Sequence, residues 1–565
     1  MLRLLSTVAA AAALVSAQGS SGNAILPMVD LGYELYRASN FNDTGRFYNF
    51  SNIRFARPVV GELRFAPPSP PEENRTVIRN GDVGRICPQA SPSWEARATN
   101  VLIDLALGRE PNSTTPYVPP GANSSSVVPT PDPRENEDCL FLDVFVPEQI
   151  FERRTTGSNN VTNGSAVLVW IHGGGYVRGS KYNNPAGLLA ASGNSSFGEV
   201  IYVSINYRLG ALGWMGGPGY QAEGGVSNVA LYDQRFALEW VQNYIHIFGG
   251  DKDRVTIFGE SAGGGSIMHQ ITAYGGAKGP VPFQQAVPQS PGWQPFSSQF
   301  KQEDTYRRFL NLTNSTSLVD LRALPSEVVV RTNAQQIAYD TAWASYIYGP
   351  VVDGNFVPLQ PGQLLAQGRF AKDVKVMVGH NAHEGAFFTP PYVTSNEALE
   401  AQISSSFANI PQSSLRYIAD ALYPPVFDGS YGYTSQFARA DLITSEAVFT
   451  CNTNYLSTAF NNKTYSYLFA VPPAFHGQDI AYTYYDGGAL SSTPFGVYNR
   501  TVAIALQEFI TSFAMNGVPQ AEGIRQFNMY GPDARVLELN VTGIEEVRDS
   551  NSGARCSWWQ LGLYS

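Results

Sequence analysis

The chain has 565 residues, 43% of them hydrophobic and only 15% charged, with a formal net charge of −10. This is the composition of a folded globular protein, and the length calls for several domains or one large sheet with long insertions. No basic cluster is present to meet phosphates, so nucleic acid is not expected as a partner.

Residues 1–17 read as a secretory signal. Arg3 supplies the positive start, Leu4 to Val15 the apolar stretch, and Val15-Ser16-Ala17 the small residues before a cut near Gln18. The stretch is too short for a membrane anchor, and no later segment is apolar enough to span a bilayer. A secreted, extracellular protein is expected. Asn-x-Ser/Thr sequons at Asn42, Asn74, Asn112, Asn123, Asn194, Asn311, Asn462 and Asn540 predict N-glycans. In that compartment Cys87, Cys139, Cys451 and Cys556 can form two disulfides, and spacing alone leaves their connectivity open.

Beyond the signal, Phe50 to Ala56 reads as a strand that leads towards a Pro-rich loop. Cys87 to Cys139 bounds a long excursion. Its first part, Pro92 to Leu107, predicts a helix with Ser91 as N-cap, Pro92 at the first position and Gly108 past the end. Its second part, Pro111 to Pro133, is a loop rich in Pro, Ser, Thr and Asn. This excursion is a surface insertion or a flap over a site.

Core strands follow at Leu140–Val146, Ala166–Ile171 and Val200–Ile205. The unbroken apolar runs are those of strands covered on both faces. Val229 to Ile245 is helical. Val255 to Phe258 is a further strand. Gln302 to Ser345 predicts a broken helical insertion. Lys375–Gly379 and Tyr465–Phe469 read as strands, and Glu397–Tyr423, Ala440–Phe460 and Thr501–Asn516 as helices. Strands alternating with helices mean an α/β fold on a large, mostly parallel sheet. No repeat or linker divides it, so residues 18–565 form one domain, with a flap insertion at 88–138 and a helical insertion at about 300–345.

The chemistry centres on Gly259-Glu260-Ser261-Ala262-Gly263. This is G-x-S-x-G between a strand and a helix, the setting that lifts a serine hydroxyl clear of a sheet. The turn is so tight that Gly259 and Gly263 can carry no side chain. A serine needs a base, an orienting acid and oxyanion donors. His172-Gly173-Gly174-Gly175-Tyr176, after the strand ending at Ile171, can offer backbone N–H groups, joined by that of Ala262. Each such donor contributes about 10²–10³ in rate. Glu384, just past the carboxyl end of a strand, is the candidate acid. His476, in the loop Pro472–Gly477 after a later strand, is the candidate base. His246 and His269 fall in helices and read as structural. The spacing of His380, His383 and Glu384 is not that of H-E-x-x-H, so neither metal nor cofactor is expected.

With these pieces assembled, the chain resembles the type-B carboxylesterase/lipase family of α/β-hydrolases, most of all its secreted fungal members. The resemblance runs over nearly the whole mature chain. It rests on Glu137–Val144, His172–Gly175, Asn206-Tyr207-Arg208, Tyr232–Arg235, Phe248–Asp251, Phe258–Gly264, Pro350–Gly354 and His380–Gly385. It implies Ser261, Glu384 and His476 as a triad acting through an acyl-enzyme, with Gly174, Gly175 and Ala262 as oxyanion donors. It also implies the disulfides Cys87–Cys139 and Cys451–Cys556, and the buried ion pairs Arg64–Glu137 and Arg208–Asp233. Two features depart from the family. Asn311 to Arg322 lacks the cysteines of a short-loop disulfide found in many members. Trp94 lies too close to Cys87 to stand for the choline-binding tryptophan, which argues against a cholinesterase. Some relatives are adhesion proteins without the nucleophile, but here every triad residue type is present.

The acyl and alcohol pockets are expected near Trp214, Gln289–Trp293, Phe387 and Phe388. Their apolar character selects an uncharged small-molecule or lipid ester. A soluble-ester carboxylesterase is expected ahead of a lipase or sterol esterase. Val101-Leu102-Ile103 is an apolar run rather than a lid's stripe, and glycans on Asn112 and Asn123 would hinder docking on oil. Activity should fall below about pH 6–7, where free imidazole protonates. Nothing in the sequence specifies an oligomeric state.

Overall fold

The computed structural model describes residues 25–564 except 82–83, 112, 114, 122–127, 129, 156–163, 195–197, 295–297, 408 and 494. The signal at 1–17 and the sequons at Asn112 and Asn123 lie outside the described residues.

An 11-stranded sheet forms the centre. Its parallel middle runs, in spatial order, through Arg535–Asn540, Tyr465–Phe469, Lys375–Asn381, Gln285–Gln289, Gly250–Glu260, Ser165–Ile171 and Ile201–Ile205. Antiparallel strands close both edges: Gly543–Arg548 on one side, and Phe141–Pro147, Phe47–Arg54 and Asn40–Asn42 on the other. The strand Ser165–Ile171 explains the layering. Every residue from Ala166 to Ile171 is buried, yet successive side chains point to opposite faces. Val167, Val169 and Ile171 join a core with the helices Val229–Tyr244 and Ala262–Ile271, whereas Ala166, Leu168 and Trp170 join a second core under the helix Arg500–Asn516. The fold is an α/β-hydrolase sheet with helices on both faces.

Several elements were not evident from the sequence. Gln285–Gln289 is a central strand although Pro288 and two glutamines argue against one. A separate three-stranded sheet, Met28–Asp30, Glu34–Arg37 and Asn74–Arg79, sits near the N-terminus. The flap helix starts later than expected. It spans Glu95–Ala106, and Trp94, not Ser91, holds the cap position without a side-chain cap bond. Ser93, just before the helix, bonds the Ala338 carbonyl through both its N–H and its hydroxyl. Trp94 itself is fully buried against Trp343, Tyr346, Phe387 and Phe388.

The helical insertion resolves into Gln299–Leu312, Leu318–Ala323 and Ser326–Asp340. Disulfides join Cys87 to Cys139 and Cys451 to Cys556. Arg64 and Glu137 form a buried pair, with a second contact from Arg64 Nη2 to Glu137 Oε2 at 2.8 Å. Arg208 grips Asp233 with two bonds of 2.8 and 2.7 Å. A buried pair the sequence did not suggest, Lys181–Asp143, lies at 2.6 Å.

Candidate active site

The strand Gly250–Glu260 ends and the helix Ala262–Ile271 begins on either side of Ser261, which adopts φ +57° and ψ −121°. Such a backbone costs a non-glycine residue on the order of 1–3 kcal/mol and persists only where its surroundings hold it. Here the Ser261 N–H donates to the Gln289 carbonyl at 3.0 Å, and the Ser261 carbonyl accepts from Gly265 and Gly292 at 2.8 and 3.1 Å. A Cβ on Gly259 or Gly263 would collide with the Ile171 carbonyl, which is why the turn admits only glycine at both places.

The three residues predicted from separate stretches converge. Ser261 Oγ lies 2.8 Å from His476 Nε2, and His476 Nδ1 lies 2.5 Å from Glu384 Oε2. Glu384 is fully buried, and the Asn381 N–H donates to its second oxygen at 2.5 Å. The histidine loop is tied to the same strand end, because Asn381 Nδ2 donates to the Phe475 carbonyl at 2.8 Å and the His383 N–H to that of Ala474 at 2.9 Å. Burial pushes the Glu384 carboxyl up, but the His476 charge and hydrogen bonds outweigh it and hold the group below its ordinary range. A histidine so placed can take the serine proton through one nitrogen while the carboxylate orients the other.

Gly174, Gly175 and Ala262 line the same cavity as Ser261. The glycines have φ of +105° and +62°, and Ala262 opens its helix, so its N–H has no intrahelical acceptor. Of the other histidines, His172 borders the same cavity and the rest are not among its lining. His172 stacks on Tyr207 at 4.2 Å and His269 bonds the Gly265 carbonyl at 2.9 Å; burial pushes both down to about 4. His380 faces Thr453 and Asn551, and His383 faces Asp441, so neither converges with Glu384 on a metal position. Among the described residues the one group with metal-ligand spacing is Glu446, Cys451 and Cys556, and its sulfurs are spent in a disulfide.

Two buried carboxyls beside Ser261, His476 and Glu384 escaped the sequence reading. Glu260 Oε1 lies 3.4 Å from His476 Nε2 and has no hydrogen-bond partner. Burial pushes its carboxyl up. Asp479 is also pushed up by burial and then by Glu384, and it accepts from Gln289 Nε2 at 3.1 Å. Burial alone would lower His476, but the Glu260 and Glu384 charges outweigh it and raise the imidazole above its ordinary value. Glu260 and His476 therefore titrate as a pair. The acid limb of kcat/KM is accordingly expected above the free-imidazole value, which corrects the expectation of a fall at about pH 6–7. Glu260→Gln removes the first of the raising charges and should move that limb down by about one pH unit. A pH profile with the same limb in both proteins would refute the coupling.

The cavity over Ser261 has a volume of about 1060 Å³. Trp293, Phe387, Phe388 and Phe449 form an aromatic side next to the histidine, with the Phe449 ring 4.3 Å from the imidazole. Asp132, Arg134, Tyr182 and Asn183 give a polar side, where Arg134 covers the Tyr182 ring at 5.1 Å. The expected pocket residues divide. Gly292, Trp293, Phe387 and Phe388 line the cavity. Trp214 does not: it packs behind Tyr176 at 4.7 Å and borders a separate, smaller cavity. Gln289 points beneath the floor to Tyr467, Asp479 and Thr483. Phe449 had no signal in sequence, since it reaches the site from a π-helical turn, Glu446–Thr450, inside an ordinary helical pattern.

The profile of the Carboxylesterase family matches residues 37–559. "Carboxylesterase patB" of Penicillium expansum is 39% identical, over 95% of this chain and 96% of its own. "Lipase 1" of Geotrichum candidum is 29% identical, over 88% of this chain and 89% of its own. Among solved structures, EstA of Aspergillus niger superposes with a TM-score of 0.75 at 24% identity, covering 95% of this chain and 98% of that one, a likeness of fold. Family match, relatives and fold agree: the chain belongs to the carboxylesterase family and is a carboxylic ester hydrolase.

Proposed function

We propose that this protein is a secreted carboxylesterase in which Ser261 attacks the ester carbonyl, His476 is the base and Glu384 orients it. The unbroken hydrogen-bond chain from Ser261 Oγ through both His476 nitrogens to Glu384 carries the reading. His476 takes the hydroxyl proton as Oγ adds to the carbonyl carbon. The N–H groups of Gly174, Gly175 and Ala262 receive the oxyanion. Collapse expels the alcohol, protonated by His476, and leaves an acyl-Ser261 ester. Water, deprotonated by the same imidazole, then releases the acid. Secretion is supported by the signal-like start, the sequons and the two disulfides, and no helix among the described residues is long and apolar enough to cross a membrane. Residues 18–565 act as one domain, since both cores cover the same sheet.

The preferred ester joins an apolar part to a polar part, matching the two sides of the cavity. A soluble substrate is favoured over a lipid surface by the polar side of the cavity, with Asp132, Arg134, Tyr182 and Asn183. Contrary to the expected run, the flap residues Trp94, Ala98, Val101 and Leu105 form a stripe packed against Trp343, Phe388 and Phe449, the arrangement a closed lid would take. Rates on p-nitrophenyl esters from acetyl to stearoyl, below and above their solubility limits, test this. The expected optimum is at short or medium chains with no jump when an emulsion forms. A sharp interfacial jump with long-chain preference would make the protein a lipase.

A further inference from the structure

The start of the flap excursion holds the segment that carries the oxyanion glycines. The Ala90 N–H donates to the Val177 carbonyl at 3.0 Å. Gln89 makes a closed pair with Gly179, its Nε2 donating to the Gly179 carbonyl at 2.9 Å and its Oε1 accepting the Gly179 N–H at 2.7 Å. At the far end stands Glu95, the first residue of the flap helix and a buried carboxylate. One of its oxygens bonds Arg178 Nη1; the other accepts from the Tyr346 hydroxyl at 2.9 Å.

Both partners bear on the glycines. The Arg178 N–H donates to the Gly174 carbonyl at 3.1 Å, and a Cβ on Gly174 would strike the Arg178 carbonyl. The Tyr346 ring lies where a Cβ on Gly175 would stand. Tyr346 is in turn fixed by Trp94, edge-on at 5.8 Å, and by Gln294, whose Oε1 accepts its N–H at 3.0 Å. Glu95 therefore joins the flap helix, the Arg178 side of the loop and the ring behind Gly175. Arg178 is also held by Ser91 at 3.3 Å, so residues 89–95 clasp the segment along its length.

We propose that Glu95 is a positioning residue for the oxyanion loop: by holding Arg178 and Tyr346 together it fixes the direction of the Gly174 and Gly175 N–H groups, and it makes a seated flap helix a condition for full activity. This rests on the reading of those glycines as oxyanion donors. The charge matters as well as the contact. A carboxylate at a helix N-terminus is favoured by the unpaired N–H groups there, and an ionised acceptor makes both bonds stronger than neutral ones. Misdirecting a donor is milder than deleting one, which costs about 10²–10³. Glu95→Gln is therefore expected to lower kcat by about 10–100-fold with KM within about twofold.

The test measures kcat and KM on p-nitrophenyl butyrate and the affinity for a butyl trifluoromethyl ketone, whose serine adduct places an oxyanion in the hole. The matching trifluoromethyl carbinol serves as the neutral control. In Glu95→Gln the ketone affinity should fall by the same factor as kcat/KM, while carbinol affinity stays put. Tyr346→Phe, which removes only a hydroxyl, should give a smaller loss of the same kind that does not add to that of Glu95→Gln. A raised KM with unchanged kcat, or a loss of thermal stability with unchanged ketone affinity, would make Glu95 merely a packing residue and overturn the proposal. If the wild-type enzyme binds the ketone no better than the carbinol, the oxyanion reading itself falls and takes the proposal with it. If the wild-type preference is strong and both variants keep it, only the role of Glu95 falls.

Discussion

Ser261→Ala is expected to reduce kcat on p-nitrophenyl butyrate by about 10⁴–10⁶-fold, with the fold intact. The size follows from what the hydroxyl does. In the proposed mechanism there is no acyl-enzyme without Oγ, and His476 would have only water to activate from a position 2.8 Å from the serine oxygen. The cavity and the glycines proposed as oxyanion donors remain, so activity should settle about 10³–10⁴-fold above the uncatalysed rate rather than at zero. The fold should persist because the bonds that hold the elbow run through the backbone of residue 261, to Gln289, Gly265 and Gly292, and not through its hydroxyl. Alanine must still adopt the positive φ of Ser261, a strain the serine already bears. Mass spectrometry adds an independent readout: a fluorophosphonate should modify the peptide holding Ser261 in the wild-type protein and leave the alanine variant unmodified. Wild-type turnover in the variant would show that another group is the nucleophile.

The elements that could be read in sequence are those in which one local pattern suffices. Ala166–Ile171 is an apolar run because both faces of its strand are covered, and the Gly259–Gly263 turn announces itself because its close approach to Ile171 allows no side chain. Glu384 and His476 could be singled out as candidates because chain order after the serine restricts the choice, and catalytic groups of such sheets sit beyond the carboxyl ends of strands. Other features depend on partners distant in sequence. Gln285–Gln289 is a central strand whose glutamine amide nitrogens find buried acceptors in Thr256, Tyr467 and Asp479, although the Gln289 side-chain oxygen stays without a partner. The residue before the flap helix and its cap, Ser93, is bonded to Ala338, a partner 245 residues away in sequence. Phe449 reaches the histidine only through an added residue in a π-helical turn, which leaves no mark on hydrophobic periodicity. Trp214 looked like a pocket residue for being aromatic and near the loops, yet Tyr176 stands between it and the site.

The second large effect concerns stability. Asp233→Ala is expected to destabilise the protein by about 3–5 kcal/mol, read as a lower urea midpoint with an unchanged slope. Asp233 is fully buried on the helix Val229–Tyr244, and its carboxylate accepts three bonds from one residue: Arg208 Nε at 2.8 Å, Arg208 Nη2 at 2.7 Å and the Arg208 N–H at 3.1 Å. Arg208 follows the strand Ile201–Ile205 and precedes the turn into Gly210–Trp214, so the pair ties the sheet to the helix layer on one face. The guanidinium already has one nitrogen, Nη1, without a hydrogen-bond partner. Removing the carboxylate would leave a buried cation with neither counter-charge nor acceptors, and that uncompensated charge is the larger part of the expected loss. The complementary variant separates this from the worth of the pair itself. Arg208→Met combined with Asp233→Leu replaces both charges by apolar groups of similar bulk and should recover most of the stability lost in Asp233→Ala, since well-packed hydrophobic substitutes for a buried ion pair are often neutral. If the double variant is as unstable as the single one, the pair contributes through its geometry, by orienting the turn at Gly210, rather than through the penalty of an orphaned charge. If Asp233→Ala unfolds at the wild-type urea concentration, the buried pair is not a determinant of stability at all.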